Sequence, residues 1–224
     1  MLISLSVFWR ALKLLWDELF LLSVIGLLWM VLGLGCIVLV PLTLGLSLMP
    51  LVPLTAGLFF VANQVAHGNA ISLPMWFSGA WHFMSRGLLW GALNWLVGLI
   101  VWADLGYYGQ INGDIGWALV TLAILLALAW IVWQILTLAC LIEAGPLMLK
   151  AAYRRAWLLM ISQPLFAAAL IVISGLLVII CAYLPVLAGH TFSYLALVAN
   201  VMVLAAAHSR SGEKKQSGQR DPRL

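Results

Sequence analysis

Apolar stretches about as long as a bilayer crossing alternate along this chain with short polar ones. A helix needs about 20 predominantly apolar residues to cross a hydrocarbon core of roughly 30 Å. That rule predicts six spans: Leu19 to Val40, Leu51 to Ala66, Gly87 to Tyr108, Ile115 to Leu141, Gln163 to Leu184 and Thr191 to Ala207. The stretches before the first, third and fifth spans carry a helical period instead. Ser78, His82, Ser85 and Arg86 share one face, and Trp76, Phe77, Ala80, Trp81, Phe83 and Met84 fill the other. That is the pattern of a helix lying in the membrane interface. Near the start, Arg10, Lys13, Asp17 and Glu18 oppose Trp9, Leu12 and Trp16; a weaker version sets Lys150, Arg154 and Arg155 beside Leu149, Ala152, Tyr153 and Trp157. Trp76, Trp81, His82, Arg86, Lys150, Arg154 and Arg155 are therefore the expected interfacial residues. The expected fold class is an all-α membrane protein: six transmembrane helices with cytoplasmic amphipathic interfacial helices, arranged as three repeated two-span units about 70 residues apart. Residues 208–224 turn polar and are expected to form a disordered basic tail.

Composition supports the same class. The chain is 65% hydrophobic and 8% charged, with a mean hydropathy of +1.13. A soluble domain is nearer half apolar and a quarter charged, so lipid must cover much of this surface. Charge fixes the orientation. Six spans place all 11 Lys and Arg residues on one side, which the positive-inside rule makes the cytoplasm, together with both termini. Five of these residues lie in the last 17, so no folded basic face suits a nucleic acid. Arg10 and Lys13 resemble the start of a signal peptide, but the apolar run from Leu19 to Val40 is too long for one, and it is expected to remain as the first span. Cys36, Cys140 and Cys181 are scattered in apolar runs, without metal-ligand spacing.

Polar side chains inside spans are the usual pointers to function, because each is costly in hydrocarbon. No Lys, Arg, Asp or Glu lies near the middle of a span, which disfavours ion-coupled pumping. The mid-span amides are Asn94, Gln134 and Asn200, the candidate substrate-binding residues. Their ordinary role is hydrogen bonding between helices. Glu143, where the fourth span ends, is expected to pair with Arg154 or Arg155. Pro41, Pro50 and Pro53 must break the backbone between 41 and 57, and broken helices often mark transporter sites. His67 and His190 have no second ligand at metal spacing. No catalytic motif occurs and no metal or cofactor is expected.

The segment PLVPLTAGLFFVANQVAHGN, followed by PMWFSGAWHFMSRGLLWGALNWL, resembles the YesL-type family of bacterial membrane proteins. Pro53, Thr55, Ala56, Gly57, Phe59 and Phe60 carry the first part of the likeness, and Trp76, Phe77 and Ala80 the second. DLGYY from Asp104 and GPLMLKAAYRRAWLLMISQPL from Gly145 continue it, whereas Asn63, Gln64, His67 and Asn69 stand where the family is more charged. The resemblance implies a six-helix protein of the bacterial cytoplasmic membrane, multi-pass, near carbohydrate-uptake systems. The expected role is non-catalytic: an accessory subunit whose partners are the lipid bilayer and a membrane permease or other membrane subunit. The alternative is a small solute transporter with its site at segment 41–57 and the mid-span amides.

Overall fold

The computed structural model describes residues 2–43, 46–145, 149–183 and 188–218. They are helical almost throughout, with no strand among the described residues. Helix α1 (Leu2–Asp17) runs through Glu18 into α2 (Leu19–Val38). A short α3 (Val40–Thr43) and a 3-10 turn (Leu46–Leu48) lead into α4 (Leu51–Ala66). Then follow α5 (Leu73–His82), α6 (Met84–Tyr108), α7 (Asp114–Glu143), α8 (Leu149–Ser162), α9 (Pro164–Tyr183) and α10 (Ala188–Gly218).

Among the described residues four segments are long and apolar enough to cross a membrane: Phe20–Val38, Leu46–Ala66, Met84–Tyr108 and Asp114–Glu143. A fifth results if α8 and α9, bent by 101° at their junction, count as one. The bend falls at Gln163, where Pro164 opens the next helix with a fixed φ and no N–H to satisfy. The expected spans at 163–184 and 191–207 fall on α9 and α10. Leu184 lies outside the described residues, and the apolar stretch Thr191–Ala207 is shorter than the four spans above.

Within segment 41–57, residues 44 and 45 lie outside the described residues, Leu51 to Gly57 are already helical in α4, and Thr43 and Ser47 are tied back to the end of α2. The Thr43 hydroxyl donates to the Leu39 carbonyl (2.9 Å) and accepts from the Ser47 amide N–H (3.2 Å), while the Ser47 hydroxyl donates to the Cys36 carbonyl (2.8 Å). The two hydroxyls thus add side-chain bonds to backbone groups around the break. The 3-10 turn lengthens the second apolar segment to 21 residues.

The bundle is built around α4, α7 and α10, which pack on one another, and each carries one short helix against its side: α5 on α4, α8 on α7 and α1 on α10. This corrects the interfacial expectation. On α5 the inward stripe is Trp76, Gly79 and Ala80, continued by Phe83, spaced as one helical face. Trp76, expected to face lipid, is 0% exposed and donates its indole N–H to the Leu54 carbonyl (2.9 Å). Trp81, from the same apolar side, is 77% exposed, and His82 is exposed as well. An apolar arc wider than the contact to one neighbour is divided: one edge meets α4 and the other does not. Likewise Ala152, Ala156 and Leu159 of α8 are buried while Lys150, Arg154 and Arg155 are exposed, and Val7 and Ala11 of α1 are buried beside exposed Trp9 and Trp16.

The contact between α4 and α5 depends on glycine. A Cβ at Gly57 would run into the Trp76 carbonyl oxygen and lie 3.0 Å from the Ala80 amide nitrogen; one at Gly79 would lie 2.8 Å from the Phe60 Cβ. Small residues let membrane helices approach this closely, and packing then supplies the attraction. A second correction concerns the last segment. The backbone of α10 stays helical to Gly218, across residues expected to form a disordered tail, with 219–224 outside the described residues. Extending an existing helix costs far less than nucleating one, and Glu213, Lys214, Lys215 and Gln216 are good helix formers.

Candidate functional site

The polar side chains gather at two junctions. The first lies where the three central helices meet. Asn63 of α4 donates from Nδ2 to Glu143 Oε2 of α7 (2.8 Å) and to Asn200 Oδ1 of α10 (3.3 Å). Asn200, 0% exposed, donates in turn to the Ala196 and Phe59 carbonyls (2.8 and 3.2 Å). One turn beyond Asn63, His67 donates from Nδ1 to the Asn63 carbonyl (2.9 Å), which turns Nε2 toward Glu143 Oε1 at 3.7 Å. A proton on Nε2 would make that contact an ion pair. The expected partners of Glu143 do not reach it. Arg155 shares with it the wall of a cavity of about 200 Å³, but among the described residues the two form no ion pair, and Arg154 is exposed. The reason is the end of α7: Gly145, at φ 72°, turns the chain so that α8 folds back along α7, while Glu143 faces the end of α4.

The second junction joins α6, α7 and α8. Trp130 Nε1 donates to Asn94 Oδ1 (3.0 Å), and Asn94 Nδ2 donates to the Trp90 carbonyl (2.8 Å) and, more weakly, to Gln134 Oε1 (3.4 Å). The Tyr153 hydroxyl donates to the same Gln134 oxygen (3.0 Å), and the Tyr153 ring meets Trp133 edge-on, with Trp157 tilted against the Trp133 indole. Trp90 Nε1 and Gln134 Nε2 are buried with no hydrogen-bond partner among the described residues.

Beside this junction lies a cavity of about 900 Å³, bounded by Val40, Pro41, Leu48 and Met49 on one wall and by α6 from Trp90 to Trp102 on the other. So the structure brings two of the three mid-span amides together, Asn94 and Gln134, and sets Asn94 on the same cavity as the proline-rich turn. Asn200 belongs to the other junction. Among the described residues no three His, Cys, Asp or Glu side chains form a metal-ligating group. Cys36 is a half-buried thiol and Cys140 a buried one; the side chains of Cys181 and His190 lie outside the described residues.

Sequence reasoning missed two residues here. Asn63 is not among the candidate mid-span amides, although its i, i+4 spacing from His67 signals a shared helical face. Tyr153 falls on the apolar side of its helix in the sequence pattern, and nothing local announces that its hydroxyl reaches Gln134. No protein-family model, curated protein or solved structure matches this chain.

Proposed function

We propose that this chain is a multi-pass protein of the bacterial cytoplasmic membrane that works without catalysis, by binding another membrane component such as a permease. Its resemblance to YesL-type proteins points to a carbohydrate-uptake system as the setting. One observation carries this reading: the polar groups that a transporter would need around a single space are divided between two junctions and mostly engaged in holding helices together. The larger cavity beside them is walled by apolar side chains, Asn94 apart. A polar solute leaving water must find hydrogen-bond partners in its place, and that cavity has too few. Outside the bundle, Trp9, Trp16, Phe20, Trp81 and Trp117 are exposed, the kind of aromatic surface that meets lipid and neighbouring subunits.

A second reading, a small transporter, is favoured by the cavity that Asn94 shares with the proline-rich turn. The purified protein in proteoliposomes is expected to take up none of a panel of sugars and amino acids, and to co-purify with a permease in mild detergent. Uptake by the protein alone, lost in Asn94→Leu, would establish the transporter instead.

The topology belongs to the same proposal: six spans, both termini cytoplasmic, and three repeated units. The grouping of α4 with α5 and α6, of α7 with α8 and α9, and of α10 with α1 and α2 supports the repeat, since each central helix carries its short helix and touches the long helix that follows it. So does the meeting of His67, Glu143 and the Ala206 region, all ends of inward-running spans in this topology. Alkaline phosphatase fused after residue 110 should be active, and after residues 70, 150 or 215 inactive. An active fusion after 215 would overturn the even number of spans.

A further inference from the structure

We propose that His67 and Glu143 share one proton, and that this proton clasps the end of α4 to the end of α7. Bound, it holds the imidazole over the carboxylate; lost, it lets the ring leave and opens the carboxylate to water. The inference stands on side-chain geometry at the central junction and on neither partner binding nor transport.

The backbone sets the tautomer. A carbonyl oxygen only accepts, so the 2.9 Å contact between His67 Nδ1 and the Asn63 carbonyl places a hydrogen on Nδ1. In the neutral imidazole the other nitrogen is then a bare lone pair. That nitrogen, Nε2, lies 3.7 Å from Glu143 Oε1, and an ionised carboxylate offers only lone pairs as well. Two acceptors facing each other repel. A hydrogen between them reverses the sign, and on a doubly protonated imidazole it makes the contact an ion pair.

The surroundings fix the carboxylate and leave the ring free to move. Asn63 donates to Oε2 at 2.8 Å, and Asn63 is held in turn at Asn200. His67 lies just past the last residue of α4, with Gly68 at φ 78° behind it. The two side chains are 36% and 23% exposed, enough for the proton to exchange with water.

Among the described residues Glu143 is the one carboxylate in ion-pair reach of the ring. Asp114 stands at the opposite end of α7, and α2 and α9 carry no charged residue. Arg155 of α8 shares a cavity wall with Glu143. Lys150 and Arg154 of α8, Arg10 and Lys13 of α1 and His82 of α5 are exposed, and Arg86 of α6 is half-buried. The side chains of α10 from His208 onward lie outside the described residues. Arg155 repels a charged imidazole, so what favours one there is Glu143.

The test uses the full chain in detergent micelles, carrying ¹⁵N-labelled histidine, at about pH 5.5 and about pH 8, on either side of the usual imidazole titration. The His67 signals are those missing from His67→Gln. At the higher pH they should show the hydrogen on Nδ1 and none on Nε2; at the lower pH, hydrogens on both. The ion pair exists only while the imidazole is charged, so its contribution is present on the acid side and is lost as pH rises. Relative to His67→Gln, which keeps the other three of the 4 histidines as background, the wild-type unfolding constant should be about two- to fivefold lower at the lower pH, the worth of a partly exposed ion pair. Glu143→Gln should reverse that difference, because its amide keeps an oxygen for Asn63 and offers the neutral ring an N–H. A neutral His67 with its hydrogen on Nε2, or wild type and His67→Gln with one pH profile, would overturn the clasp. Both readouts decide it even if Glu143→Gln does not fold. Failure to co-purify with a permease would leave every one of these results unchanged, so the two proposals fail separately.

Discussion

Adding one methyl group at Gly57 is expected to destabilise the protein by about 1–3 kcal/mol, the range for overpacking a well-packed interior. The new Cβ would collide with the Trp76 carbonyl oxygen and crowd the Ala80 amide nitrogen. Both are backbone atoms, so no rotamer change relieves the clash. The helix α5 must move as a body, withdrawing the buried Trp76 side chain from the core and its indole N–H from the Leu54 carbonyl. Gly98→Ala is the control: its Cβ meets nothing within 4 Å, and alanine is the better helix former by about 1 kcal/mol. Thermal melting in detergent, followed by circular dichroism, should show Gly57→Ala well below wild type and Gly98→Ala at or above it. Equal melting of the two variants would mean that α4 and α5 do not hold this close contact.

Asn63→Leu should cost about 2–3 kcal/mol, the larger part from the bond to a charged acceptor, for which about 1.5–3 kcal/mol is usual. Asn63 is the hub of the central junction, donating to a carboxylate on α7 and a carboxamide on α10. Its removal leaves Glu143 without its amide donor, with His67 at 3.7 Å and Arg155 across a small cavity. Asn200→Leu should cost less, because hydrogen bonds between neutral groups on membrane helices average about 0.6 kcal/mol. The double variant should cost less than the sum, since both changes remove the same Asn63–Asn200 bond. Asn69→Leu, on an exposed amide bonded only to Gln64, supplies the baseline. The measurement is the free energy of unfolding in detergent titrated with a denaturing surfactant. Additive costs, or an Asn63→Leu variant within about 0.5 kcal/mol of Asn69→Leu, would break the hub assignment.

The amino-acid sequence by itself determined the helices and their apolar length, because both are local properties. A run such as Phe20–Val38 or Asp114–Glu143 is long and apolar whatever surrounds it. It also determined where the chain must turn: Gly68 and Gly145 adopt positive φ where α4 and α7 end, Pro41 and Pro50 fall between α2 and α4, and Pro53 sits in the first turn of α4, where a helix tolerates it. The tertiary structure alone decided which side of each amphipathic helix is buried. Trp76 and Trp81 belong to one apolar arc, and only the close approach at Gly57 sends the first into the core and leaves the second outside. It alone decided which polar groups meet, since Asn63 finds Glu143 across 80 residues and Asn200 across 137. The reason is physical. Between helices in a bilayer, lipid tails are as apolar as leucine, so hydrophobicity says that a segment enters the membrane but not which neighbour it chooses. That choice rests on shape and on a few hydrogen bonds, and neither is written in the pattern of any single helix.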